Sequence, residues 1–182
     1  RVKLPPYTYM SNTHCALGWH LIQGNHFPII GHLGGSTGQR SMLQVIPELN
    51  FAIAALHNST NAKLLPALFD EVLSNLTNIH LNLTKPIPRK SVPIDLEALV
   101  GTYETILDRA VISIDNGHLM IVTTPNKSES DKTECYCLEQ ADQYLFVVQA
   151  EFEQLCLTFM EINKQGQARY LFCRGRLLTR TC

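Results

Sequence analysis

From position 15 to 57 the apolar residues come in short runs, CALGWHLI, FPIIGHLGG, SMLQVI and FAIAALH, separated by Gly, Pro, Asn or Ser. Runs of that length between turn residues predict β-strands. PELN joins the last two runs, and Pro47 and Asn50 suit a tight turn, so these strands are expected to be antiparallel neighbours. Nearly every position of FAIAALH is apolar, which predicts a strand covered on both faces.

The period then changes. In NSTNAKLLPALFDEVLSNL, residues Leu65, Leu68, Phe69, Val72, Leu73 and Leu76 recur every three or four positions and form one apolar stripe. This predicts a helix lying on the sheet. Asn58 to Asn61 are candidate N-caps, and Pro66 is tolerable only in the first turn. Residues 78–93 contain Pro86, Pro88 and Pro93 among basic residues without periodicity and read as a linker. Beyond it, LVGTYET, AVISID, HLMIVTT, ECYCLE, YLFVVQ, LCLTFMEI, ARYLFC and RLLTRT alternate with turns such as DNGH and KQGQ. About eight short strands at regular spacing predict a small antiparallel barrel or sandwich, preceded by one helical turn at IDLEAL.

Composition narrows the function. The 182 residues are 45% hydrophobic and 17% charged, with 15 basic and 16 acidic side chains and a net charge of −1. No basic patch invites nucleic acid, and no apolar run approaches the roughly 20 residues that cross a bilayer as a helix. Of six cysteines, five lie at or beyond position 135, and Asn-x-Ser/Thr acceptors occur at Asn58, Asn75, Asn82 and Asn126. Together these favour a secreted or lumenal glycoprotein with disulfides. Cys135 and Cys137, two apart on a strand, share a face and could pair with Cys156 or Cys173; buried thiols and a zinc site remain alternatives.

A few strands and one helix cover one face of a sheet whose last strand is apolar on both. The pattern therefore predicts a preceding segment that covers the other face, with this chain as the C-terminal part of a longer protein. The stretch CALGWHL followed by GHLGGSTGQRSMLQVIPELNFAIAALHNST resembles the C-terminal portion of the serine β-lactamase-like family, which includes class C β-lactamases and penicillin-binding proteins. The resemblance covers roughly residues 15–77. It rests on the L-G-W strand, a His-x-Gly motif, the V-I-P-E turn and the closing apolar strand ending in H-N. LVGTYET more weakly resembles the start of the β-barrel that trails the hydrolase domain in several relatives.

The resemblance implies an α+β fold: residues 1–77 as the remnant of a transpeptidase-like domain, 78–93 as linker and 94–182 as an antiparallel barrel that caps the site or mediates homo-oligomerisation. It also implies amide or ester hydrolysis of a small peptide, amide or ester through an acyl-serine, without metal or cofactor. His32, Leu33 and Gly34 match the family's third motif, so His32 would orient the tetrahedral intermediate. Gly35 would offer an oxyanion N–H, and Gly34 and Ser36 would line the substrate's path. These residue types suit such work, since glycines let a substrate backbone approach closely and imidazole titrates near neutrality. No Ser-x-x-K occurs among the 182 residues, so the nucleophile would have to lie upstream and this chain alone would be inactive. The other six histidines read as surface or turn residues, and Trp19 as core. The alternatives are a catalytically inactive relative that serves as a binding module and, for residues 95–182, a lipocalin-like carrier with a hollow barrel.

Overall fold

The structure is a computed structural model that describes residues 2–3, 13–23, 27–36, 38–80, 90–125, 134–149 and 154–181. It divides into two compact units, residues 1–86 with 150–153 and residues 87–149 with 154–182. The expected α+β class is corrected. Antiparallel strand dominates the described residues, and one α-helix occurs among them. The physical reason is visible in the chain: a single segment has helical periodicity, and the remaining apolar runs are too short for anything but strands.

In the first unit, β1 (Val2–Lys3), β2 (Thr13–Ala16), β3 (Trp19–Gln23), β4 (Pro28–Ser36), β5 (Gln39–Ile46) and β6 (Phe51–His57) form one antiparallel sheet in chain order. The run CALGWHLI is thus two strands. Leu17 and Gly18, at φ +51° and +80°, make a two-residue hairpin turn whose handedness matches the strand twist. PELN becomes a 3-10 turn over Pro47–Leu49, closed by Asn50 in the left-handed region at φ +47°.

The helix α1 spans Leu64–Thr77. Pro66 falls in its first turn, where no intrahelical N–H is lost. The cap is Lys63, without a side-chain bond, instead of Asn58 to Asn61; Asn61 accepts the Lys63 N–H at 3.0 Å and so turns the chain just before the helix. Leu65, Phe69 and Leu73 are buried against the sheet with Ile29, Met42 and Ile46. The expected single stripe is divided: Leu68 and Leu76 are exposed and share a second stripe with Leu64, spaced by multiples of four. The other sheet face is also open. Ala52, Ala54 and Leu56 on β6 are exposed, and Trp19, expected in the core, is 41% exposed. Within the described residues FAIAALH is covered on one face.

In the second unit a 3-10 turn at Glu97–Leu99 leads into β7 (Gly101–Glu104), β8 (Asp108–Asp115), β9 (His118–Pro125), β10 (Glu134–Cys137), β11 (Glu139–Asp142), β12 (Leu145–Gln149), β13 (Gln154–Ile162), β14 (Ala168–Cys173) and β15 (Arg176–Arg180). The sheet order runs β10-β9-β8-β7-β15-β14-β13-β12-β11, antiparallel throughout. Its two edge strands are separated by Leu138 alone, whose N–H donates to Leu119 O at 2.8 Å. One stretch of chain therefore pairs with β9 through its first half and with β12 through its second, nearly closing a barrel and leaving only two four-residue edge strands. The interior holds Tyr103, Phe146 and Phe159 in edge-to-face contacts at 5.8 and 5.6 Å, which occupies the space a lipocalin-like cargo would need. Lys90 and Val92 donate backbone N–H groups to Gln140, and Gln140 Nε2 donates back to Val92 O. The last residues of the expected linker are thus strapped to β11, while 81–89 lie outside the described residues.

The expected disulfides are absent among the described residues: Cys15, Cys135, Cys137, Cys156 and Cys173 form none. Cys156 and Cys173 are buried in the barrel wall, whereas Cys135 and Cys137 are exposed on β10. No group of three potential metal ligands occurs among the described residues, and no described helix is long and apolar enough to cross a membrane. Of the glycosylation acceptors, Asn58 and Asn75 are exposed, and Asn82 and Asn126 lie outside the described residues.

Candidate functional site

β4 carries GHLGGS into the hairpin with β5, and the glycines decide how closely the neighbours approach. A Cβ at Gly31 would stand 2.1 Å from Gln44 Oε1 and 2.4 Å from Leu43 O; one at Gly34 would stand 2.3 Å from Ser41 Oγ. At Gly35 the space is taken by Arg40, whose Cδ and Nη1 lie 3.1 Å from where a Cβ would be. The hairpin tip uses Gly38 at φ +78°, a conformation that favours glycine. Gln39 Nε2 donates to Ser36 Oγ at 2.9 Å across the tip.

Register builds a row across three strands. Gly35 on β4 faces Arg40 on β5, which faces His57 on β6. Beside this row lies an open cavity of about 650 Å³ lined by Gly35, Ser36, Gln39, Arg40, Ser41, Leu56, His57 and Asn58. Among the described residues its lining contains one guanidinium, one imidazole and no carboxylate. Nδ1 of His57 accepts the Ser59 N–H at 3.1 Å, so the neutral ring carries its proton on Nε2. That Nε2 is buried and has no hydrogen-bond partner among the described residues. Arg40 has no acidic partner there either. The arrangement offers cationic and donor groups next to small residues, which suits an acceptor-rich or anionic ligand group.

Gly35 and Ser36 line this cavity, as does none of His32, Leu33 and Gly34. His32 is exposed on β4 opposite Leu43, and Gly34 is half-buried opposite Ser41. The His32 ring stacks on His20 of β3, with centroids 5.0 Å apart and planes inclined by 19°. His20 is half-buried. Burial first, and the charge of His32 second, hold its pKa below the usual histidine value. Neither His20 nor His57 is the plain surface residue that spacing suggested. Arg40 and His57 also escaped notice as a pair, because 17 positions separate them in sequence and strand register alone brings them together.

No family model matches the chain. It is 36% identical over 88 residues to penicillin-binding protein 4 of Amycolatopsis lactamdurans, a match that covers 48% of this chain and 23% of that protein. The chain thus spans about a quarter of the length of this curated relative. In structure it aligns over its full length with 42% of the chain in the crystal structure of SurE with D-Leu, at TM-score 0.67 and 21% identity. Against the crystal structure of SurE, 91% of the chain aligns with 37% of that chain, at TM-score 0.62 and 22% identity. The SurE likeness concerns the fold; the sequence similarity is to a penicillin-binding protein.

Proposed function

We propose that this chain is the C-terminal part of a serine hydrolase of the penicillin-binding-protein type, which cleaves an amide or ester through an acyl-serine whose nucleophile lies outside these residues. The observation that carries the reading is the row Gly35, Arg40 and His57 beside an open cavity without carboxylates. The sequence similarity to penicillin-binding protein 4 supports it.

In this reading the small residues of β4 let the substrate backbone approach, and the Gly35 N–H stabilises the oxyanion that forms on acylation. His32 lies outside the cavity lining, and in this reading it orients the tetrahedral intermediate from its exposed position three residues before Gly35 on the same strand. Arg40, which has no carboxylate partner among the described residues, receives an electron-rich group of the substrate. The exposed acceptor asparagine Asn75 supports a lumenal or extracellular setting.

The test uses the full-length gene product with a fluorophosphonate or penicillin probe. Covalent labelling is expected, slowed by roughly two orders of magnitude or more in His32→Ala. A full-length protein that takes up neither probe, yet still binds peptides, would instead support the inactive binding relative.

A further inference from the structure

His20 and His32 sit on adjacent strands, and their rings stack 5.0 Å apart at 19°. The two residues differ in anchorage. His20 is held in the middle of the sheet, with Cys15 of β2 on one side and Gly31 of β4 on the other, and its ring is half-buried. His32 is exposed. An exposed imidazole in water samples several rotamers, whereas one with a face against an anchored ring gives up most of that freedom beforehand. Groups that serve a reaction gain rate from such prior ordering.

We propose that His20 is a positioning residue for His32, fixing the plane and rotamer of the exposed ring. The inference rests on the reading that His32 serves a hydrolase site. It extends that reading to a residue that itself touches no substrate. The pair also limits charge, because two imidazolium rings at this distance repel. Among the described residues, Cys15 of β2 pairs with His20 in register and His32 of β4 stacks on its ring, and both titrate; Gln44 and Leu43, which continue the rows onto β5, do not.

Two variants separate stacking from mere packing. His20→Phe keeps an aromatic ring and removes the charge, while His20→Ala removes the ring. On the 182-residue chain, imidazole NMR is expected to show a ring-to-ring NOE between residues 20 and 32 in the wild type and in His20→Phe. In His20→Ala the His32 ring signals should average over rotamers. On the full-length protein, fluorophosphonate labelling is expected to slow by roughly ten- to a hundredfold in His20→Ala and to recover to within about threefold in His20→Phe. The pH profile of labelling should lose its His20 limb in both. An absent NOE in the wild type, or His32 signals and labelling indifferent to His20→Ala, would overturn the proposal. If His20→Ala does not fold, His20→Phe and the wild-type NOE still decide it. A wild type that is never labelled sinks the hydrolase reading alone, and the NMR comparison continues to test the positioning.

Discussion

Arg180 lies across the ring of Tyr103, its guanidinium carbon 5.9 Å from the ring centre, and the same group donates to Ala98 O and Val100 O. Tyr103, fully buried, donates its hydroxyl hydrogen to Leu99 O at 2.9 Å. The last strand of the barrel thus fastens the 3-10 turn that precedes the first. Arg180→Ala leaves two carbonyls short of a donor and uncovers the ring, so the barrel should lose about 2 kcal/mol. Urea unfolding followed by near-UV tyrosine ellipticity checks this, with fluorescence of the single tryptophan, Trp19, as the reference for the other unit. An unchanged tyrosine midpoint would remove the fastening role.

Gly31 and Gly35 lie on the same strand and should respond differently to alanine. At Gly31 the new Cβ meets Gln44 Oε1 and the backbone oxygen of Leu43, and a backbone oxygen in a paired strand cannot move aside. Gly31→Ala is expected to cost about 2–3 kcal/mol, lowering the urea midpoint read at Trp19. Gly35→Ala meets the flexible end of Arg40 instead, so stability should stay within about 1 kcal/mol. Equal losses at both sites would show that Arg40 is as rigid as the strand.

Thiol reactivity should divide by burial. Burial pushes the Cys156 thiol up to about 12 and that of Cys173 to about 11, so at pH 7.5 the thiolate is a fraction on the order of 10⁻³ or less. Cys135 and Cys137 are exposed on β10. Iodoacetamide under native conditions should modify the β10 pair within minutes and leave Cys156 and Cys173 unmodified until the barrel unfolds, as peptide mass spectrometry would record. Rapid native alkylation of Cys156 would contradict its placement in the barrel wall.

His20 makes stability depend on pH in a definite direction. Its folded pKa lies below the unfolded value of about 6.5, so the unfolded chain takes up the proton first as pH falls. The contribution is complete above about pH 6.5 and is lost as pH drops from there toward the folded pKa. His32→Gln should raise the His20 pKa without restoring the ordinary value, because burial is the larger cause. Denaturation midpoints between pH 7 and 5, with histidine NMR on the same samples, measure both effects; a His20 pKa that falls in the variant would contradict the stack.

Where the apolar period was unambiguous, local structure followed it. DNGH turns at Asn116 and Gly117 with φ +49° and +79°, as the hairpin preference for those residues requires. Phe51–His57 and the barrel strands fall close to their apolar runs. CALGWHLI misled because Leu17 takes a left-handed φ of +51°, which leucine rarely adopts and composition does not signal. The α1 stripe misled differently. Leu68 and Leu76 lie near the buried residues in projection, but of the stripe's leucines and phenylalanine only Leu65, Phe69 and Leu73 are buried.

The chain by itself determined where most strands and the described helix lie and which residues carry the His-x-Gly motif, because periodicity, turn chemistry and local sterics act over a few residues. Strand register belongs to the tertiary structure. It joined Gly35 to Arg40 and His57, put His20 against His32, and let one stretch of chain close the barrel through both of its neighbours. Such pairings depend on long-range hydrogen bonding between segments whose spacing in sequence has no fixed relation to their distance in space.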